Sequence, residues 1–112
     1  MIDPAPGVYA IMRGDEAILI AQAETGVLAR VMAFEKSTTT GDKGNTGGQT
    51  FFRKGLTFDG LHIDVYDLSK ENTESLGALK NFLITDYVQR TGVRPICNTR
   101  LPSEAKAYIR AQ

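Results

Sequence analysis

Four basic side chains bracket a glycine-rich stretch and stand beside two phenylalanines, a combination that can bind nucleic acid. These residues are Lys36, Lys43, Arg53, Lys54, Phe51 and Phe52. Ammonium and guanidinium groups contact phosphates, and aromatic rings stack on bases. The same pattern is also typical of a solvated loop followed by two core aromatics, so both interpretations stay open.

One lysine, Lys80, falls among apolar residues that recur at helical spacing. Leu76, Leu79, Leu83 and Tyr87 lie at i, i+3, i+7 and i+11, and at about 100° per residue Lys80 lies within their stripe. We expect its ammonium to face an acidic partner, a water-filled cleft or a bound anion, because a buried unpaired charge is costly. The alternative is a lysine at the helix edge whose stem packs on apolar neighbours while its ammonium reaches water.

Histidine and cysteine are too scarce for several common chemistries. His62 is the only histidine and Cys97 the only cysteine. This excludes a multi-histidine metal centre, a disulfide within the chain and a zinc site built on clustered thiolates. We expect a solvent-facing structural role for His62 and an inert buried thiol at Cys97.

The chain has the size and composition of one globular domain, spanning residues 1–112. Of its 112 residues, 42% are apolar and 23% charged, which suits a single hydrophobic core. Thirteen basic residues balance thirteen acidic ones, so nucleic-acid binding requires a local basic patch. The longest apolar run, Ala17–Ala21, is far shorter than the ~20 residues that cross a bilayer, and no export signal is visible. We therefore expect no membrane partner and a cytoplasmic location.

The elements that must position these residues begin with a β-hairpin. Val8–Arg13 and Ala17–Ala23 are apolar and partly β-branched, and they flank the turn dipeptide Gly14-Asp15. A helix that Thr25 can cap and that ends near Lys36 follows, because apolar residues recur there at i, i+4 and i+7. These residues are Val27, Val31 and Phe34.

Two different patterns occupy the middle of the chain. Residues 37–50 contain four glycines and no apolar residue, so they are predicted to form a flexible loop. From Thr57 to Leu68 apolar and polar residues alternate, with Leu61, Ile63 and Val65 on one face. This alternation predicts a third strand.

A long helix dominates the C-terminal half. The helix that carries this apolar stripe and Lys80 is predicted to run from about Thr73 to Arg90, and Gly92 supplies its C-terminal stop. A short helix is predicted after it, at Ser103–Arg110. The order β, β, α, loop, β, α, α lacks the βαβ repeats of a parallel sheet. We predict an α+β domain with a small, three-stranded, largely antiparallel sheet and flanking helices.

The hairpin and the first helix resemble those of GIY-YIG nucleases. Gly7-Val8-Tyr9, Leu19-Ile20-Ala21-Gln22 and Arg30 are similar to that family's first motif, second motif and following arginine. Leu79–Ile84 is similar to its third helix, and Pro95–Asn98 to its terminal asparagine motif. The matches are short and depend on their joint order, so the chain is interpreted as a divergent member of the superfamily.

This resemblance implies a site as well as a fold. Tyr9, Arg30, Lys80 and Asn98 would occupy the family's catalytic positions. In the family a tyrosine helps to activate water, an arginine steadies phosphate charge, and a glutamate on the third helix holds one divalent metal ion. All four residues also have ordinary structural interpretations: a packed strand tyrosine, an arginine flanking the core, the helix-edge lysine described above and an Asx turn.

The sequence departs from the family at the metal position. Lys80 stands where the metal-binding glutamate is expected, and an ammonium cannot ligate Mg²⁺. The second motif has Leu19 where the family usually has tyrosine and Ala21 where it usually has glycine. If Arg13-Gly14-Asp15 forms the loop, Tyr9 and Leu19 pair on one face. No metal ligand is assigned, and Mg²⁺ is a cofactor only if the chain cleaves.

Three functions from different classes remain as hypotheses. The first is a nucleic-acid-binding pseudoenzyme, with DNA as the favoured ligand and phosphodiester cleavage weak or lost. The second is an active Mg²⁺-dependent endonuclease, a hydrolase whose metal reaches another carboxylate such as Glu24, Glu35 or Glu74. The third is a protein-binding inhibitor or adaptor that reuses the fold, which the neutral net charge favours.

Overall fold

The computed structural model describes residues 6–24, 26–41, 44–67 and 73–110. Within them lie three strands and four helices, named here in chain order. They are β1 (Gly7–Arg13), β2 (Glu16–Ala23), α1 (Val27–Thr40), α2 (Thr46–Arg53), β3 (Leu61–Asp67), α3 (Thr73–Thr91) and α4 (Ser103–Lys106). No helix in these ranges is both long enough and apolar enough to cross a membrane.

The strands form one antiparallel sheet in the order β2-β1-β3. The predicted hairpin is confirmed: Gly14 takes a positive φ of 58° at the turn, and Arg13 pairs with Glu16. The predicted fold class is confirmed as well. The fold is α+β, with a small three-stranded sheet and helices on both of its faces.

The pairing within the hairpin differs from the expected one. Tyr9 lies opposite Ala21, and Leu19 lies opposite Ile11, so the expected Tyr9–Leu19 pair is wrong. The turn contains two residues, and a bulge leaves Ile18 without a direct partner on β1. Tyr9, Ile18 and Leu19 nevertheless pack in one buried cluster, because an extra residue re-aims the side chains that follow a bulge.

Each face of the sheet carries its own hydrophobic cluster. Tyr9 and Ile11 point to the face covered by α1 and α2, where the rings of Phe34 and Phe51 meet edge to face at 5.5 Å. Val8, Ala10 and Ile20 point to the other face, under α3 and α4. β1 is therefore buried on both sides, and its buried residues link the two helical layers.

The predicted loop at residues 37–50 is wrong over most of its length. α1 continues to Thr40, and α2 begins at Thr46; residues 42 and 43 lie outside the described residues. Within this last part of α1 the threonine hydroxyls donate to carbonyls one turn back, as from Thr38 to Glu35 at 2.6 Å and from Thr40 to Lys36 at 2.9 Å. These bonds satisfy side chains that would otherwise compete with the helix.

Two glycines let α2 pack where a larger residue would not fit. A Cβ on Gly48 would lie 2.6 Å from the Phe34 carbonyl oxygen, and one on Gly47 would lie 2.7 Å from the Leu19 side chain. The glycines that suggested a loop therefore allow a close contact between helices. Composition alone does not distinguish these two uses of glycine.

Three predicted boundaries also shift. The strand expected from Thr57 begins at Leu61, after Gly60 takes a positive φ of 72°. The last helix ends at Lys106 instead of Arg110, because the Arg110 amide donates to the Gly92 carbonyl at 2.9 Å. The first helix begins after Gly26, whose φ is 146°, and its expected cap, Thr25, lies outside the described residues.

The close approach at Gly48 can be tested by measuring stability. Gly48→Ala should lower the free energy of unfolding by roughly 1–3 kcal/mol, because the neighbouring atom is backbone and cannot rotate away. Gly77→Ala is the matched control: its Cβ would lie 3.8 Å from the nearest atom, on Gln22, and should add about 0.5–1 kcal/mol of helix propensity. Urea denaturation measures both, and equal effects would contradict the packing of α2 described above.

Candidate functional site

An open cavity of about 520 Å³ lies along β2 and is lined by residues from several parts of the fold, but not from β3 or α4. Its walls come from β1, β2, α1, the first turn of α2, α3 and the segment after α3. The lining residues are Tyr9, Leu19, Ile20, Ala21, Gln22, Arg30, Asn45, Thr46, Gly47, Lys80, Cys97, Asn98, Thr99 and Arg100. All four residues at the family's catalytic positions therefore border the same space.

Tyr9 is fully buried at the base of this cavity, and its hydroxyl bonds to Arg30 and Asn45. Burial raises the pKa of Tyr9 above its ordinary value of 10.0, while the Arg30 charge and the two hydrogen bonds act in the opposite direction. Hydrogen bonds that lower a phenol pKa are donated to its oxygen. Burial has the larger effect, so Tyr9 is protonated at neutral pH.

Asn45 holds the start of α2 against Tyr9. Its side-chain oxygen accepts from the Gly48 amide at 2.9 Å, which caps α2. The side-chain NH₂ is then the group that donates to the Tyr9 hydroxyl. Sequence analysis missed Asn45, although asparagine followed by Thr46 and a helix is a recognisable N-cap pattern.

Arg30 reaches the cavity from α1 and is half-buried. Its guanidinium donates to Tyr9, so one edge of a planar group with five N–H donors is occupied. The remaining donors can bind a second acceptor. The sequence placed Arg30 beside the apolar stripe of its helix, and the structure agrees with that placement.

Lys80 enters from α3 and is half-buried on the opposite wall. The expectation that it faces a cleft, and not the convex surface, agrees with this position. None of the described residues that line the cavity is aspartate or glutamate. With Arg30 and Arg100, Lys80 gives the cavity three cationic side chains.

Asn98 has a structural task at the outer edge of β2. Its side-chain oxygen accepts from the Ile20 amide and its NH₂ donates to the Ile20 carbonyl, both at 2.9 Å. The amides of Ile96 and Cys97 donate to Ala17 and Ile18 at 3.2 and 2.7 Å. This segment continues the hydrogen bonding of the sheet, so the Asx turn considered from the sequence is not how the Asn98 amide is used.

Arg100 and Thr99 line the cavity because residues 96–98, which precede them, are hydrogen-bonded to β2. Both are exposed, and sequence analysis assigned them no role. Arg100 lies far from Arg30 and Lys80 in sequence. Only the docking of residues 96–98 on β2 brings it to them, so no local pattern could have identified it.

Cys97 also lines the cavity and is buried, as expected. Burial raises the pKa of the Cys97 thiol to about 11, and the nearby Lys54 charge offsets only part of this effect. A thiol with this pKa is protonated at neutral pH and is a poor nucleophile.

Of the four residues predicted to bind nucleic acid, the three that the structure describes do not line the cavity. Lys36, Arg53 and Lys54 are exposed on α1 and at the end of α2, and Lys43 lies outside the described residues. The two neighbouring phenylalanines lie in different environments. Phe51 is buried in the core and stacks on Phe58 at 5.4 Å, whereas Phe52 is exposed.

Of the carboxylates considered as alternative metal ligands, Glu24 and Glu35 are not among the lining residues of the cavity, although Glu24 lies beside the lining residue Gln22. Glu24 is exposed and accepts a bond from the Gln22 side chain at 3.2 Å, and Glu35 is exposed on α1. The side chain of Glu74 lies outside the described residues. Within the described part of the chain, no three His, Cys, Asp or Glu side chains come together in a way that could hold a metal ion.

Comparisons with protein-family models, with curated proteins and with solved structures found no match to this chain. The resemblance to GIY-YIG nucleases therefore depends on the short motifs quoted above and on their order.

The pairing of Asn98 with β2 predicts an unusual pH dependence in a variant. Asn98→Asp should be less stable than the wild type at pH 7, because a carboxylate would face the Ile20 carbonyl. A protonated carboxyl can donate there and accept from the Ile20 amide, so the folded-state pKa of the new group is raised. The deficit, about 1–3 kcal/mol, should shrink as the pH falls towards about 4.

Urea denaturation of both proteins at several pH values measures this effect. Asn81→Asp, at an exposed position of α3, is the control and should show no such recovery. A deficit for Asn98→Asp that stays constant between pH 7 and pH 4 would contradict the hydrogen bonds assigned to Asn98.

Burial of Tyr9 predicts a loss of stability at alkaline pH. Because the pKa of Tyr9 is raised in the folded state, its protonated form contributes stability that is present below the unfolded value of about 10 and lost above it. The wild type should therefore lose stability relative to Tyr9→Phe as the pH rises from 9 to 11. Chemical denaturation checks this, and parallel pH profiles would show that the Tyr9 pKa is not raised.

Proposed function

We propose that this chain is a cytoplasmic protein that binds nucleic acid, DNA in the first instance, through phosphate contacts in the cavity, with little or no phosphodiester cleavage. The observation that carries the proposal is the charge of the cavity. Arg30, Lys80 and Arg100 line it, and no described lining residue is acidic.

The balance of charge over the whole chain makes this concentration of cations meaningful. Thirteen basic and thirteen acidic residues cancel, so phosphate attraction must be local. Cations that share a cavity repel one another, and an anion between them relieves that repulsion. A phosphodiester group supplies the required charge together with oxygen atoms that accept from guanidinium and ammonium groups.

The neutral donors of the cavity suit the same ligand. Thr46 and Gly47, in the first turn of α2, also line the space, and helix N-termini attract anions. A volume of about 520 Å³ falls within the usual ~300–1,000 Å³ of ligand sites, which suits one backbone segment and not a whole duplex.

The same residues are poorly suited to hydrolysis. Mg²⁺ is held by carboxylates and other oxygen ligands, and the described lining residues offer no carboxylate. Lys80 can attract a phosphate oxygen but cannot lower the pKa of a bound water from 15.7 towards ~7 as some catalytic metals do. Tyr9, whose pKa is raised by burial, is not a phenolate base at neutral pH. Binding is thus supported and cleavage is not.

A second candidate function is a protein-binding adaptor. A groove of about 500 Å³ lies between α3 and the start of α4, and Phe82 on its wall is 65% exposed. Exposed aromatic residues of this kind anchor protein partners. Absence of any salt-sensitive binding to DNA or RNA would favour this candidate over the first.

Charge substitutions in the cavity test the nucleic-acid proposal. Lys80→Gln should weaken binding to a labelled oligonucleotide about tenfold at low salt and should reduce the slope of log affinity against log salt by about one. Lys106→Gln is the matched control, because it removes the same charge from an exposed site on α4. Fluorescence anisotropy with single-stranded DNA, duplex DNA and RNA measures both effects.

Equal losses for the two variants, or no binding by the wild type, would contradict binding in the cavity.

Cleavage is tested by a separate measurement. Purified wild type is expected to leave supercoiled plasmid intact in Mg²⁺ or Mn²⁺, and dependable nicking would refute the loss of activity. Lys80→Glu restores the carboxylate of the resembled family, and we expect it to gain measurable Mn²⁺ affinity.

A further inference from the structure

The two edges of the sheet differ. The outer edge of β2 is covered by residues 96–98, whose backbone and side-chain groups bond to it. β3, at the other edge, is hydrogen-bonded to β1 alone among the described strands. An uncovered edge presents backbone N–H and C=O groups in the geometry that another strand can pair with.

β3 also exposes apolar side chains that the other described residues leave uncovered. Ile63 is 43% exposed and Val65 is 54% exposed. They share a face with Ile11 and Tyr9, their direct partners on β1, which are buried under α1 and α2. The helices therefore cover the centre of this face and stop short of β3.

We propose that β3 pairs with β3 of a second copy of this chain, antiparallel about a two-fold axis at Ile63. The result is a continuous six-stranded sheet in which the two β3 strands are central. Antiparallel pairing about such an axis uses the same surface on both copies, as in most symmetric dimers. The cavity lies along β2, so this interface is separate from the proposed nucleic-acid site.

Side-chain pairing selects this register over its neighbour. With Ile63 opposite the partner's Ile63, His62 faces the partner's Asp64, and Leu61 faces the partner's Val65. A register centred on Asp64 would instead place two carboxylates directly opposite each other, which is destabilising. Within one chain His62 and Asp64 already approach to 3.7 Å, and both are half exposed, so they can form the same type of contact across the axis.

A second copy fits this edge better than an unrelated chain because the side chains of one β3 can pair with those of another β3. Leu61, Ile63 and Val65 of the two copies would form one apolar stripe on one face, with the imidazole–carboxylate pairs on the other. The formal net charge is zero, so two copies do not repel one another at long range. One pair of seven-residue strands is a small interface, which implies a dimer that forms at high protein concentration.

Sedimentation velocity over a range of protein concentrations tests the dimer. The wild type should shift from monomer towards dimer as the concentration rises, and Ile63→Lys should weaken the association at least tenfold because it places two ammonium groups on the axis. Met32→Lys is the control: it introduces the same charge at an exposed apolar residue of α1 and should leave association unchanged. A wild type that stays monomeric, or equal losses in both variants, would overturn the proposal.

Disulfide trapping tests the register. Directly opposite residues in antiparallel strands have Cα atoms about 4.5–5.5 Å apart, within the range that a disulfide spans. With oxidised glutathione as the oxidant, Ile63→Cys should form a covalent dimer and Asp64→Cys should form little. The buried Cys97 remains in all proteins, so the wild type reports its contribution. Trapping at position 64 but not at position 63 would overturn the register.

Discussion

The hydroxyl of Tyr9 joins the elements on which the cavity depends. Tyr9 comes from the central strand, Arg30 from α1 and Asn45 from the cap of α2, and both partners bond to the one phenolic oxygen. The same Asn45 side chain fixes the start of α2 through Gly48. This buried contact links α1 and α2 to the sheet through polar groups, and it holds Arg30 at the wall of the cavity.

A second constraint completes the opposite side of the cavity. The backbone of residues 96–97 and the side chain of Asn98 bond to the edge of β2, which places Arg100 near the two cations from α1 and α3. The same docking closes one edge of the sheet, whereas no described strand other than β1 pairs with β3 at the other edge. The location of the proposed anion site and the location of the proposed dimer interface therefore follow from one asymmetry of the fold.

Local patterns predicted much of this architecture, and the failures have physical causes. The hairpin, the long α3 and the position of Lys80 follow from turn chemistry and helical periodicity, both of which act over a few residues. At residues 37–40 the threonine hydroxyls bond back to the helix, and at the start of α2 Gly47 and Gly48 fit against Leu19 and Phe34. Composition does not show either effect.

The sequence predicted only part of the candidate site, because some of its residues are brought together by contacts between distant segments. Tyr9, Arg30, Lys80 and Asn98 were selected through a family resemblance, and the structure places all four at one cavity. Asn45 and Arg100 could not be selected, because their roles arise from contacts between distant segments. The resemblance also gave Asn98 a catalytic position, whereas the structure uses its amide to hold the edge of β2.

The central claim is that phosphate binds among Arg30, Lys80 and Arg100, and an NMR titration tests it most directly. A short DNA oligonucleotide would be added at low salt while the arginine Nε–H signals and the backbone amides are followed. We predict the largest shifts at Arg30, Arg100 and the amide of Gly47, with Arg53 and Arg90 nearly unchanged. Shifts confined to Arg53 and the end of α2, or no shifts at all, would contradict binding in the cavity.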